Sequence, residues 1–381
     1  MWGRIMRRSL RNAVILTAFA AFCLFVRSSV LRLDGLLAHA YQGKVGDSPS
    51  KVQVNNGGNQ RPVEDAFKNI HFHRKQRSAK SIPEDAHKLA HVSGVTKNGA
   101  FDDRLLFKHH QHRRTELSDI FISVKTSKKF HETRVGVILR TWFTLAREQT
   151  FFFTDEDDEK LQEQTGGHVI NTKCPSTHDK NALCCKMASE YDAYLDSNKR
   201  WFCHFDDDNY VNIPRLLKLL QGYNHTQDWY LGKPSLKHPW EITDRDNPQQ
   251  KLVFWFATGG AGFCISKGLA LKMMPHASGG RLMTVGKKTR LPDDCTVGFI
   301  INYLLKTDLT IISGLHSHLE ALMHIRSNDL PKQITISYSQ YNDKMNVITL
   351  PGFSEQDDPT RFLSFHCHLF PTFRECKHMP S

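Results

Sequence analysis

Residues 200–208 read RWFCHFDDD, a mostly apolar run that ends abruptly in three consecutive carboxylates. A short run of this kind, rich in aromatic residues, predicts a buried strand. Because like charges repel, Asp206, Asp207 and Asp208 fit best at a strand end, where each carboxylate can reach solvent. Ligands of open parallel sheets bind beyond the carboxyl ends of the strands, so the triplet marks a candidate functional site.

Strands and helices are predicted to alternate on the N-terminal side of this run. Strands are expected at 118–124, 149–153 and 168–171, and helices at 131–142 and 181–195. Alternation at this spacing is typical of βαβ units, and it predicts an α/β fold with a mostly parallel central sheet and helices on both faces.

The pattern continues on the C-terminal side without a domain break or an internal repeat. Asn212 is expected to cap a helix that has Pro214 in its first turn. Hydrophobic residues make up 40% of the 381-residue chain, which is an ordinary globular value, and 116–381 is predicted to be one domain. Its further elements are helices at 267–274 and 292–305 and strands at 228–232, 251–256, 263–265, 309–313, 334–338 and 347–350.

The acidic triplet suits a divalent cation, which would offset the repulsion among its carboxylates. Transfer from a nucleotide-sugar uses such an ion to stabilise the departing diphosphate. His316 and His318, which follow a predicted strand, are candidate further ligands, and a set of carboxylates with histidine favours Mn²⁺ over Ca²⁺. The alternative is that no metal site exists. The triplet is then an acidic turn that caps the next helix, and the histidines are ordinary surface or core residues.

A transferase also needs a base for the acceptor hydroxyl. Asp293 and Asp294 stand at the start of a predicted helix, where the helix N-terminus favours a carboxylate. Lys125, Arg134 and Arg140 are candidate cations for a pyrophosphate. The alternative is that both acids are ordinary first-turn residues and that the cations are solvated helix charges.

The basic character of the chain lies in its N-terminal part. Residues 1–115 hold 20 basic and 8 acidic residues, whereas 116–381 holds 31 of each. Nucleic-acid binding usually requires a basic face on the folded domain, so no nucleic-acid partner is predicted.

The N-terminal part itself is typical of a protein of the secretory route. Residues 1–12 are predicted to be a cytoplasmic tail, 13–37 a signal-anchor region and 38–115 a mostly disordered lumenal stem. The apolar stretch is short, so a cleaved signal peptide is the alternative to an anchor. A basic cluster ending at Arg77 suggests proteolytic cleavage of the stem, or else a solvated charge run.

The cysteines and one sequon agree with a lumenal address. The predicted domain contains eight cysteines and no C-x-x-C pair, which favours disulfides in an oxidising compartment over a zinc ribbon. The sequence alone leaves 105 pairings open. Asn224-His225-Thr226 fits the N-glycan acceptor pattern.

Several motifs together resemble the Fringe proteins, which are β-1,3-N-acetylglucosaminyltransferases of the secretory pathway. The resemblance extends from Leu117 to about Cys376, and its most specific segments are RWFCHFDDDNYVN, FWFATGGAGFCIS, LPDDCTVGFI and HSHLE. It implies a GT-A type fold with a Rossmann-like nucleotide half, UDP-N-acetylglucosamine as donor and Mn²⁺ as metal. It also implies O-linked fucose on EGF-like repeats of Notch-type receptors as acceptor, and a single-pass type II protein of the Golgi membrane.

The resemblance also implies a role for individual residues. Arg134 would contact the donor, and Asp207 would contact the nucleotide-sugar. Asp208 and His318 would ligate Mn²⁺. Asp294 would be the catalytic base. The disulfides that the resemblance implies are Cys174–Cys185, Cys203–Cys264 and Cys367–Cys376. Cys184 and Cys295 are left unassigned.

Two other functions remain open at this stage. A β-1,3-galactosyltransferase of the same superfamily would differ in the shape of its donor pocket, which a sequence does not show. A secreted, metal-dependent carbohydrate-binding protein would use the acidic cluster without catalysing transfer.

Overall fold

The computed structural model describes residues 113–342 and 344–378. The predicted tail 1–12, the signal-anchor region 13–37 and nearly all of the stem 38–115, including Arg77, lie outside the described residues. Within the described part of the chain, no helix is long and apolar enough to cross a membrane.

A seven-stranded sheet forms the centre of the domain, in the order β10-β6-β9-β4-β1-β2-β3. Strand β9 pairs antiparallel with β4 and β6, and the other neighbours in this sheet pair parallel. The strands are β1 (Ile120–Lys125), β2 (Thr150–Thr154), β3 (Val169–Asn171), β4 (Trp201–Asp206), β5 (Tyr210–Val211), β6 (Tyr230–Gly232), β7 (Trp240–Thr243), β8 (Lys251–Phe254), β9 (Phe263–Ser266), β10 (Leu309–Ile311), β11 (Thr335–Ile336), β12 (Ser339–Tyr341) and β13 (Lys344–Asn346).

Helical segments connect many of these strands, and α8 follows the last of them. The α-helices are α1 (Gly136–Arg140), α2 (Glu159–Thr165), α3 (Lys180–Ser197), α4 (Ile213–Leu220), α5 (Lys267–Ala277), α6 (Arg281–Thr289), α7 (Asp293–Gly298) and α8 (Phe362–Leu369). The π-helical segments are His131–Val135 and Phe299–Leu304. Short 3₁₀ segments are Leu117–Asp119, Lys128–Phe130, Trp142–Leu145, Arg147–Gln149, Gly259–Ala261, Leu322–His324, Ser327–Lys332 and Arg374–His378.

The sheet is buried on both faces by helices. Successive side chains of a strand point to opposite sides, so each strand contributes to the core on both faces. On one face, Ile120 and Ile122 of β1 belong to the cluster that includes Trp142 and residues of α4 and α8. On the other face, Phe121 packs with Tyr194 of α3 and with residues of α5. The predicted α/β class, with a mostly parallel sheet and helices on both faces, is confirmed.

Several predicted elements differ in detail. The helix expected at 131–142 begins as a π-helical segment and ends in a 3₁₀ turn, and the one expected at 292–305 is α only through Gly298. The strand predicted at 347–350 is wrong, since the β12–β13 hairpin precedes it and those residues form no strand. The β12–β13 hairpin, α2, α6 and α8 have no counterpart among the predicted elements, and of the β7–β8 hairpin only the second strand was predicted.

Three disulfides hold the described domain together. Cys203–Cys264 links β4 to β9 in the middle of the sheet, and Cys174–Cys185 and Cys367–Cys376 close shorter loops, so the three implied pairs are all present. Cys184 and Cys295 are buried free thiols.

Candidate active site

The candidate site lies at one edge of the central sheet. Strands β1 and β4 run parallel, so both end there, at Lys125 and Asp206. Strand β9 runs the other way, so the glycine-rich turn 258–262 that precedes it reaches the same edge. The two strand ends, residues 258–260 of that turn, the first turn of α7 and His318 line one cleft of about 1110 Å³.

Asp207 is held by Thr126, the residue directly after β1, and by Arg134 of the π-helical segment 131–135. Its Oδ1 accepts from Nη1 of Arg134 at 2.7 Å, and its Oδ2 accepts from the hydroxyl of Thr126 at 2.8 Å. Burial raises the pKa of Asp207, and the charge of Arg134 opposes that rise. The guanidinium of Arg134 also lies 3.7 Å from the centre of the Phe130 ring. Both residues predicted to contact the donor therefore lie side by side in the cleft.

Asp208 and His318 face each other with unused ligand atoms. Oδ2 of Asp208 is 3.7 Å from Nδ1 of His318. Oδ1 of Asp208 and Nδ1 of His318 are buried and make no hydrogen bond. Burial, followed by the charges of Asp206 and Asp207, raises the pKa of Asp208 well above its usual range.

These two side chains fit the predicted manganese, because a carboxylate oxygen and an imidazole nitrogen are ligands it accepts. Among residues 113–342 and 344–378, no group of three or more His, Cys, Asp or Glu side chains forms a metal cluster. Asp208 and His318 are therefore the two described side chains that would hold such an ion, which would supply positive charge to stabilise a diphosphate.

Gly260 keeps this pair accessible. A Cβ atom at residue 260 would stand 2.8 Å from two atoms of the His318 ring, closer than real contacts allow. The absence of a side chain therefore lets His318 approach the acidic triplet.

Asp294, the predicted base, lies at the start of α7. Its Oδ2 accepts from the backbone N–H of Gly259 at 3.1 Å, and its Oδ1 accepts from the backbone N–H of Cys295 at 2.8 Å. Burial, together with the adjacent Asp293, raises the pKa of Asp294. A carboxylate with a raised pKa is a stronger base than an exposed one, which suits proton abstraction from a hydroxyl.

Lys125 is engaged within the protein. Its Nζ lies 3.0 Å from Oδ1 of Asp206 and 2.5 Å from Oδ2 of Asp293. Burial alone would lower the pKa of Lys125, but Asp206 and Asp293 raise it well above its usual value. Lys125 therefore ties the end of β4 to the start of α7, and its contacts are to carboxylates of the protein itself.

Two other candidates lie away from the reacting centre. The ring nitrogens of His316 contact Glu320 at 3.1 Å and Gln333 at 3.0 Å, so His316 supports its loop and does not pair with Asp208. Arg140 is exposed and is not among the residues that line the cleft.

Asn224 is the predicted glycosylation site. Its Oδ1 accepts from the backbone N–H of Thr226, and glycosylation of its side chain stays a prediction.

The family model described as Fringe-like matches residues 115–373. This chain belongs to the Fringe-like family. It is 55% identical over 265 residues to "Fringe glycosyltransferase" of Drosophila melanogaster, a match that covers 69% of this chain and 64% of that protein.

Two vertebrate relatives agree with this assignment. The chain is 54% identical over 261 residues to "Beta-1,3-N-acetylglucosaminyltransferase lunatic fringe" of Danio rerio, covering 68% of this chain and 70% of the relative. It is 52% identical over 262 residues to the protein of the same name from Homo sapiens, covering 68% of this chain and 69% of the relative. The resemblance to Fringe proteins inferred from the motifs is confirmed.

Among solved structures, the chain has a weak similarity to a glycosyltransferase involved in the glycosylation of the major capsid of PBCV-1. The TM-score is 0.33 at 10% identity, over 64% of this chain and 99% of that one. The α/β class rests on the domain's own mostly parallel sheet with helices on both faces.

Glu190 and His204 of this Fringe-like domain were not predicted to have any role. Both side chains are completely buried, and Nδ1 of His204 donates to Oε2 of Glu190 at 2.6 Å. The only sequence signal for this pair is a histidine inside the apolar run 200–205. Its partner comes from a helix, and the sequence gives no indication of that contact.

Proposed function

We propose that this chain is an inverting glycosyltransferase that moves N-acetylglucosamine from UDP-N-acetylglucosamine, in β-1,3 linkage, onto O-linked fucose of EGF-like repeats. Notch-type receptors are the proposed carriers of those repeats, and modification would modulate Notch signalling. Relatives 52–54% identical to this chain carry the name beta-1,3-N-acetylglucosaminyltransferase, which supports the reaction type and the sugar.

One observation carries the proposal more than any other. A buried carboxylate with a raised pKa, Asp294, lines the same cleft as the pair Asp208 and His318. A base and a cation site in one cleft are the two groups that transfer from a nucleoside diphosphate sugar requires.

Asp208 and His318 would hold Mn²⁺, which when bound stabilises the charge of the departing diphosphate. Arg134 and Asp207 would bind and orient the nucleotide-sugar beside them. Asp294 would accept the proton of the fucose 3-hydroxyl as that oxygen forms a bond to the anomeric carbon. The bond from that carbon to the diphosphate oxygen breaks at the same time, so UDP leaves with the bonding electrons and the configuration inverts.

The cellular address is part of the proposal. We place the catalytic domain, 116–381, in the Golgi lumen, held by a single-pass type II anchor at 13–37. Three disulfides in the described domain support an oxidising compartment. Glycosylation of Asn224 would follow from the same address.

A transfer assay tests the proposed reaction. The purified full chain is incubated with an O-fucosylated EGF repeat, Mn²⁺ and, separately, UDP-N-acetylglucosamine, UDP-galactose and UDP-glucose. Mass spectrometry should detect one added N-acetylhexosamine on the fucose, with UDP-N-acetylglucosamine strongly preferred and no product on the unfucosylated repeat. Preferential transfer from UDP-galactose would assign a galactosyltransferase, and binding without release of UDP would assign a carbohydrate-binding protein.

A further inference from the structure

A buried acid–base pair lies directly beneath the acidic triplet, outside the set of groups assigned to the reaction. Glu190 of α3 and His204 of β4 are both completely inaccessible to solvent. Oε2 of Glu190 also accepts from the hydroxyl of Ser123 at 2.7 Å. The carboxylate is therefore fixed from two strands, and it fixes the orientation of the imidazole ring.

The free side of the His204 ring faces the reaction site. Its Nε2 lies 3.4 Å from Oδ1 of Asp206, too far and too poorly aligned for a hydrogen bond but close enough for an ion pair when the ring is protonated. A Cβ atom at Gly259 would be 3.5 Å from that Nε2, 3.7 Å from Oδ2 of Asp206 and 3.6 Å from the Cβ of Asp294. The ring nitrogen, the first carboxylate of the triplet and the base therefore surround one small space.

Stability alone gives a poor explanation for this pair. Taking two ionisable groups out of water is costly, and well-packed apolar residues in the same place are often neutral or stabilising. Burial alone would lower the pKa of His204, but Glu190 and Asp206 raise it to about 9, which keeps the imidazole charged at neutral pH. A buried cation beneath a cluster of carboxylates compensates part of their mutual repulsion.

The contacts continue from Asp206 to the base. Lys125 spans Asp206 and Asp293, and Asp293 is the residue next to Asp294 in the first turn of α7. A shift of Asp206 would therefore move Lys125, and with it Asp293 at the start of α7.

We propose that His204, oriented by Glu190, is a positioning residue for the transfer reaction. His204 holds Asp206, Asp206 holds Lys125 against Asp293, and this contact fixes Asp294 in the geometry needed to take the acceptor proton. The inference rests on the proposed function, because it assigns Asp294 as the base.

His204→Gln tests the inference, because it removes the charge and keeps a polar side chain of similar length. We expect kcat to fall roughly 10- to 100-fold, with the KM for the nucleotide-sugar changed less than about threefold, since misplaced reacting groups slow the chemical step more than binding. Glu190→Gln should also lower kcat.

His366→Gln is the matched control. His366 is equally buried, and its Nδ1 bonds to the hydroxyl of Tyr210 at 2.8 Å. It does not line the cleft. The control should lose thermal stability and keep kcat within about twofold of wild type after correction for the folded fraction. Unchanged kcat in folded His204→Gln, or equal loss of kcat in both variants, would overturn the inference.

Ser123→Ala decides the question if His204→Gln does not fold. It removes only the hydroxyl that fixes Glu190, and it should lower kcat several-fold with KM retained. A wild-type kcat in Ser123→Ala would then overturn the inference. A wild-type chain that releases no UDP and transfers no sugar would instead refute the proposed function, so the two failures are distinguishable.

Discussion

At the scale of single residues, neighbouring carboxylates of the acidic triplet have different environments. Both oxygens of Asp207 accept hydrogen bonds from side chains of the protein. Asp208 retains a buried oxygen with no hydrogen bond, next to the unpaired Nδ1 of His318. Asp207 is thereby suited to orienting a ligand through Arg134, whereas Asp208 is suited to coordinating a cation.

Replacement of Asp294, the proposed base, should affect turnover and not nucleotide binding. Asp294→Asn retains the shape of the side chain and removes its ability to accept a proton. General-base catalysis typically contributes about 10²- to 10⁴-fold, so kcat should fall by that factor. Steady-state transfer kinetics and calorimetric titration with UDP and Mn²⁺ would measure the two effects. Transfer at the wild-type rate would remove Asp294 from this role.

Two adjacent glycines give a matched test of the cation site. In Gly260→Ala, the new methyl would stand 2.8 Å from the His318 ring and displace it, whereas the methyl of Gly259→Ala would meet its nearest neighbour at 3.5 Å. We expect the affinity for Mn²⁺ in the presence of UDP to fall roughly 10-fold or more in Gly260→Ala only. Equal Mn²⁺ affinities in both variants would argue against His318 as a ligand.

At the scale of elements, the sequence predicted the strands that are continuous apolar runs. The run RWFCHF overlaps β4 and the run SDIFISV overlaps β1, each to within two residues at either end. Both runs are strands because a continuous apolar run suits a strand that is buried on both faces of the sheet. The strand expected at 347–350 failed because a short apolar run has no fixed partner in the sequence. The switch from α- to π-helix after Gly298 depends on tertiary packing, which a helical pattern does not contain.

The candidate site was predicted as a set of side chains, and the contacts between them were not. The acidic triplet, Asp294 and His318 were identified from their positions after predicted strands or before a helix, together with the family resemblance. The contact of Lys125 with Asp293 joins residues 168 positions apart, so it emerges only when β1 and α7 meet. The role of Lys125 as an internal bridge was therefore beyond sequence reasoning.

The disulfides differ in how much of the chain they constrain. Cys203 and Cys264 are 61 residues apart, whereas Cys367 and Cys376 are 9 apart. In the chain-entropy account, removing the first pair costs about 4 kcal/mol and removing the second about 3 kcal/mol. Guanidinium unfolding of the paired alanine variants would measure both losses. A larger loss for the Cys367–Cys376 pair would contradict this ranking.

At the scale of the whole molecule, the stability of the domain should depend on pH through a buried histidine. Burial lowers the pKa of His366 to about 4, whereas an unfolded histidine titrates near 6.5. Between these two pH values the unfolded chain binds the proton and the folded chain does not. The free energy of unfolding should therefore fall as the pH is lowered from about 6.5 to about 4, by at most about 3 kcal/mol from this residue.

His366→Gln should remove that contribution. Its free energy of unfolding, measured in urea at several pH values, should be lower than that of wild type at pH 7, and the difference should shrink as the pH falls towards 4. A constant difference across this range would show that His366 is not the group responsible.

The account as a whole depends on where the cation sits. Crystals grown with UDP and Mn²⁺, measured at the manganese absorption edge, locate the ion directly by its anomalous signal. We predict one ion within roughly 2.0–2.6 Å of a carboxylate oxygen of Asp208 and a ring nitrogen of His318, the range usual for divalent cations. An ion bound elsewhere in the cleft, with Asp208 and His318 outside its coordination shell, would contradict the proposed active site.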